Sequence, residues 1–122
     1  MRLVALLAGA GLLALTGIAS AAEPYGVWLR PSTGTQLRFF NCGGKLCAKV
    51  AAVKSQAHQG EVGKTIVPGA AKSGGDTWKG DIIDISADRT YSGVITLEGP
   101  NALNVKGCML GFCRAETWTK VR

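Results

Sequence analysis

The sequence has little histidine, few prolines and no repeated hydrophobic stretch. A single histidine stands among 122 residues, so no site built from paired imidazoles is available. His58 lies in a Gln- and Gly-rich polar segment and reads as a solvated loop residue. A Ser–His–Asp relay needs its imidazole packed beside a nucleophile, and no Gly-x-Ser-x-Gly elbow occurs. No long segment places apolar residues at helical spacing, which argues against a bundle of helices. Fourteen Lys and Arg against eight Asp and Glu give a net charge of +6, a balance that favours acidic surfaces. Yet these cations are scattered, with no basic run and no interleaving with aromatics of the RNA-binding kind. Nucleic acid is therefore not an expected partner.

The one long apolar run is at residues 3–18, after Arg2 and before Ala19-Ser20-Ala21-Ala22. A charged start, an apolar middle and small residues at a cleavage site predict a secretory leader. The run is shorter than the ~20 residues of a membrane anchor, so no stable span is expected once it is gone. Cleavage after Ala21 removes residues 1–21 and leaves 22–122 as one domain. Roughly 100 residues form one thin core, too little for a large multi-step enzyme. Export directs the chain to the periplasm or beyond.

Four cysteines form two matched pairs with four residues between members, Cys42/Cys47 and Cys108/Cys113. In an exported chain an even count favours disulfides. Three connectivities are possible. Both pairs flank a Gly-containing turn between strand-like segments, which puts each Cys across from its mate. Pairing within each hairpin is the expected arrangement. A four-thiolate zinc site is the rival, requiring all four sulfurs to converge.

Short alternating runs separated by Gly, Pro, Asn and Asp predict an all-β domain. Strands are expected near 25–30, 35–42, 46–53, 64–67, 76–85, 90–98, 101–108 and 112–121. Residues 54–63 form the longest loop, with room for a short helix. Strand parity puts Leu46, Ala48, Val50 and Ala52 on one face, Tyr91, Gly93, Ile95 and Leu97 on another, and Leu103, Val105 and Gly107 on a third. One dry and one wet side per strand suits an antiparallel sheet. About eight such strands with short connections predict a small up-and-down barrel, because closure removes exposed edges. The last strand is ambiguous. Trp118 shares parity with Arg114, Glu116 and Lys120, so an inward Trp118 draws Arg114 or Glu116 inward unless a bulge resets the face. Asp81 and Asp84 are three apart and point to opposite faces of a strand, poor geometry for a shared metal or a carboxylate pair. Turn and strand-end roles are expected for Asp84 and Asp88.

An ordered series runs through the chain: Gly26-Val27-Trp28-Leu29, Asn41-Cys42-Gly43-Gly44-Lys45-Leu46-Cys47-Ala48-Lys49-Val50, Gly63-Lys64-Thr65-Ile66 and Trp78-Lys79-Gly80-Asp81-Ile82. It continues with Asp84, Asp88, Arg89-Thr90-Tyr91, Leu103-Asn104-Val105-Lys106-Gly107-Cys108 and Glu116-Thr117-Trp118. This series resembles the bacterial exported family catalogued as domain of unknown function 2147, over nearly all of residues 25–120. Gly-x-Trp at the first strand is also similar to the opening of lipocalins and related calycin barrels. The resemblance implies a lipocalin-like barrel and no established reaction. Family members often have Gly where Ala48 stands and often end in Trp-x-Arg, which this chain does not. In lipocalins a late basic residue packs across the first-strand Trp; Arg114, Lys120 and Arg122 are the candidates, each able to set a cation over the Trp28 ring.

Two functions follow as expectations. The first is a non-enzymatic binding protein holding one apolar or amphipathic ligand, with Trp28, Phe39, Tyr91, Arg114 and Trp118 as candidate ligand residues and no cofactor or metal. The second is a disulfide-stapled envelope protein that acts through contacts with another protein. A cavity above about 300 Å³ with polar groups at its mouth favours the first; a filled interior favours the second.

Overall fold

A computed structural model describes residues 22–122 and shows a closed antiparallel barrel in which each strand pairs with its sequence neighbours and the last returns to the first. The strands are β1 Gly26–Arg30, β2 Thr35–Cys42, β3 Lys45–Ala52, β4 Thr65–Lys72, β5 Thr77–Asp84, β6 Arg89–Gly99, β7 Ala102–Met109 and β8 Phe112–Lys120. A 3-10 turn, Gln56–Glu61, interrupts the long loop between β3 and β4, with the Ser55 side chain accepting from the Ala57 N–H at its start. The expected leader lies outside the described residues.

Alternation explains most of the interior. Trp28, Leu37, Phe39, Leu46, Ala48, Val50, Ile95, Leu97, Leu103, Val105 and Trp118 all belong to one buried cluster. Leu46, Ala48, Val50, Ile95, Leu97, Leu103 and Val105 sit on the shared faces expected of their strands. Among the described residues no polar or charged side chain is fully buried, and no buried side-chain polar atom lacks a partner.

β4 corrects the sequence reading. Pro68-Gly69 marks a break there, and a strand of 64–67 was the expectation. The strand instead runs through to Lys72, because it absorbs the proline in bulges. Register against β3 passes from Lys49↔Thr65 to Ala48↔Val67 and then to Leu46↔Ala70. One extra β4 residue is inserted at each step, which bends the strand and turns both Ile66 and Val67 into the core. Proline is tolerated there because a bulge asks for no ladder hydrogen bond from it.

Cys42–Cys47 and Cys108–Cys113 are the two disulfides, and no described cysteine is free. The pairing within hairpins holds and the four-thiolate alternative falls. Disulfides of this kind suit an oxidising, extracytoplasmic compartment. One bridge sits in the β2–β3 hairpin and the other in the β7–β8 hairpin, so each end of the barrel has one.

Two seams are narrow. β4 and β5 pair through Ala71↔Lys79 and Lys72↔Trp78. β1 and β8 pair through Trp28↔Lys120 and Leu29↔Thr119, extended by bonds from the Val27 N–H to the Arg122 carbonyl (2.7 Å) and from the Val121 N–H to the Val27 carbonyl (2.8 Å). β1 is short because the Pro31-Ser32-Thr33-Gly34 turn begins at once after Arg30, closed by the Gly34 N–H on the Arg30 carbonyl at 2.8 Å. The front half of β8 thus runs past the end of β1 and pairs with β7 alone.

A candidate ligand cavity

The two ends of the barrel differ. At the end holding the β2–β3 turn, Trp28 is fully buried, its indole N–H donates to the Pro24 carbonyl at 2.8 Å, and the Lys120 ammonium lies 4.9 Å from the ring centroid. Lys120 also donates to the Tyr25 carbonyl at 2.9 Å. Of the three cations considered, Lys120 is the one over Trp28. Gly26 is needed here: its φ is +125°, and a Cβ would lie 2.6 Å from the Arg122 carbonyl oxygen and 2.8 Å from Lys120 Cε. Phe39 meets Trp118 edge to face, with centroids 6.0 Å apart. This end is plugged.

The opposite end is open. A cavity of about 1260 Å³ enters the barrel there. Its mouth is ringed by the loops joining β1–β2, β3–β4, β5–β6 and β7–β8, and its deeper wall includes Leu37, Val50, Ile66, Val105 and Trp118. The volume exceeds the range usual for small-molecule sites, and the apolar depth with polar groups at the rim is the pattern such sites share.

The candidate residues divide between the two ends. Tyr91, Arg114 and Trp118 line the cavity. Trp28 and Phe39 are not part of its lining; both are buried in the core cluster, with Phe39 packed against Trp118. β8 pairs with β7 without a register shift from Ala102↔Thr119 to Met109↔Phe112. No bulge resets its parity, so both Arg114 and Glu116 follow Trp118 inward.

Glu116 is the polar centre of the wall. It accepts from Arg30 Nε at 3.2 Å and Nη2 at 3.5 Å, from Ser32 Oγ at 3.1 Å and from Trp118 Nε1 at 3.0 Å. These bonds lace the β1–β2 turn to β8 where the strands themselves no longer pair. Each donor also satisfies a carboxylate that would otherwise face apolar walls alone.

A second polar link crosses the mouth. Glu61 Oε2 lies 2.7 Å from His58 Nδ1 and accepts from Ser86 Oγ at 3.0 Å, joining the 3-10 turn to the β5–β6 loop. The bond from His58 holds the Glu61 carboxyl below its ordinary pKa, helped by Ser86 and opposed by burial. His58 is thus a half-exposed loop residue, as expected, but it has a partner. Asp84 accepts from the Ala87 N–H at 3.2 Å, the turn role expected of it, and Asp88 occupies the same turn at φ 53°. Among the described residues no group of three His, Cys, Asp or Glu converges as a metal site, and no helix is long and apolar enough to cross a membrane.

Arg30, Ser32, Glu61 and Ser86 were not candidates in the sequence. Their partners lie across loops: Arg30 and Glu116 are 86 positions apart, and no spacing rule connects them.

A closed eight-stranded antiparallel barrel, plugged at one end and hollow at the other, defines the lipocalin-like class. The chain belongs to the bacterial family described as "Uncharacterized protein conserved in bacteria (DUF2147)", which it matches over residues 26–120. No curated protein matches it in sequence. Among solved structures it is similar to a Helicobacter pylori protein, HP1028, described as belonging to the lipocalin family. That likeness has a TM-score of 0.63 at 14% identity, covering 84% of this chain and 85% of the other. At that identity the likeness speaks for the fold.

Proposed function

We propose that this protein is a non-enzymatic carrier that holds one small apolar or amphipathic molecule in its barrel, in the periplasm or outside the cell. The observation behind this reading is the cavity of about 1260 Å³ with Leu37, Val50, Ile66 and Val105 in its depth and charged side chains at its mouth. A barrel of this strand number is either filled by its own side chains or holds one ligand. The lipocalin-like fold supports the second choice. The test uses N-phenyl-1-naphthylamine, an uncharged dye that brightens on leaving water. Saturable brightening at one dye per chain, together with quenching of the Trp118 emission, is expected. No brightening, with only ligand-free protein in native mass spectrometry of the purified chain, overturns the reading.

One observation favours a second reading, that the barrel acts by contacting another envelope protein. Leu110 and Phe112, at the tip of the β7–β8 hairpin, are 91% and 82% exposed. A stoichiometric protein partner recovered from a periplasmic extract, and lost on Leu110→Ser with Phe112→Ser, supports it.

A further inference from the structure

Three glycines lie side by side across the inner wall. Gly80 of β5 pairs with Gly93 of β6, and Gly93 pairs with Gly107 of β7. The next residue in this row, opposite Gly107 on β8, is Arg114. A strip without Cβ atoms thus ends at an arginine.

Two larger side chains lie against that strip. A Cβ on Gly93 would come within 2.4 Å of Ile82 Cδ1, and one on Gly107 within 3.3 Å of Tyr91 Cβ and 3.5 Å of its Cγ. Tyr91 is therefore laid against the β7 backbone, one strand away from Arg114, and both line the cavity. Of the three glycines only Gly107 lines the cavity; the space beside Gly93 is taken by Ile82 and that beside Gly80 by the β4 backbone at Ala70.

The charged groups of the mouth are not equally engaged. Arg30 is held by Glu116, and His58 by Glu61. Arg114 has no hydrogen-bond or ion-pair partner among the described residues. Lys54 and Arg89 on the rim likewise have none, against Asp84 as the remaining acid of the lining. The unengaged charge facing the cavity is thus mainly positive. Arg114 stands four residues from Trp118 on the same face of β8, about 13 Å nearer the mouth. Glu116, between them, is already saturated by donors.

We propose that the cavity selects amphiphiles with an anionic head group, carboxylate or phosphate, bound at Arg114 with the apolar tail directed toward Trp118. This rests on the carrier reading and adds the class of ligand. A guanidinium offers a planar fork of donors matched to either oxyanion, and the exposed Arg114 has that fork free to take one.

The experiment displaces N-phenyl-1-naphthylamine from the wild-type chain with decanoate, decanol and decyltrimethylammonium. The three share a tail and differ in head charge. Decanoate is expected to displace the dye at about a tenfold lower concentration than decanol, since a charge-assisted bond is worth more than one decade in affinity. The cation is expected to be weakest. In Arg114→Gln, with dye affinity determined separately for each variant, the ratio of decanol to decanoate concentrations needed falls to about one, and Arg114→Lys restores part of it. A parallel series with decyl phosphate shows which oxyanion is preferred. Equal displacement by decanoate and decanol in the wild type, or an advantage that survives in Arg114→Gln, overturns the proposal while leaving the carrier reading intact. Failure of the dye to bind overturns both.

Discussion

The plugged end and the open end of this barrel are made from the same strands and differ in what their last residues are asked to do. At the plugged end the inward positions are occupied by Trp28, Phe39, Leu46 and Leu103, each at most 1% exposed. At the open end they are Arg30, Tyr91, Arg114 and Glu116, with glycines beside them. Stability is concentrated at one end and chemistry at the other. Polar groups can line a β-barrel without penalty when they are either wet or mutually bonded, and the open end has both conditions.

The largest effect is expected from the plug. Trp28→Ala should cost about 3–5 kcal/mol, the range for truncating a fully buried aromatic, read as a fall in the urea midpoint. Tyr91→Ala at the mouth should cost far less. Similar losses at the two sites would erase the distinction between the ends.

The two disulfides sharpen it further. Each closes the same number of residues, so chain entropy alone predicts about 2 kcal/mol for either one. Cys47 is buried, whereas Cys113 is exposed. Replacing Cys42 and Cys47 by Ala should therefore lower the melting temperature more than replacing Cys108 and Cys113. The reverse order would show that the open-end hairpin is held by its bridge and by little else.

A smaller effect is expected from the Glu61 link. Its folded carboxyl is held below the ordinary value by His58 and Ser86, so the unfolded chain takes up the proton first as pH falls. The stabilisation from Glu61 is present above the ordinary carboxylate range and is lost as pH drops through the lowered value. Wild type and Glu61→Gln should differ in melting temperature at neutral pH and converge in acid. A gap that persists in strong acid would mean that the glutamate acts by shape and not by charge.

The smallest effect belongs to the exposed tip. Phe112→Ser removes a side chain that is 82% exposed, and its change in stability should stay within about 0.5 kcal/mol. A larger loss in calorimetry would mean that the tip packs against the mouth in solution.

Most of the framework was legible in local pattern. β2 at 35–42 and the pairing of each Cys within its hairpin follow from alternation and turn chemistry, which are properties of neighbouring residues. β4 was not, because Pro68-Gly69 stops a strand in isolation and becomes a bulge only when β3 lies beside it. Parity put Tyr91 on the face of Ile95 and Leu97 and tied Arg114 to Trp118, but it left open which way that pair points and at what depth the barrel closes, so Trp28 and Phe39 were grouped with them. The Arg30–Glu116 and Glu61–Ser86 bonds are invisible to spacing because the ring must close before their partners meet. The glycine row shows the same limit: each glycine alone reads as a weak point in a strand, and only the register of three strands sets them side by side.

The strand order has a consequence for assembly. Every ladder except one joins strands consecutive in the sequence, so hairpins can zip one onto the next at small entropic cost. The final stitch is the short β1–β8 seam, where Val27 meets a tail from the far end of the chain. The entropy of shutting so long a loop falls on that handful of bonds at once. No other ladder of the barrel spans so many residues between its partners.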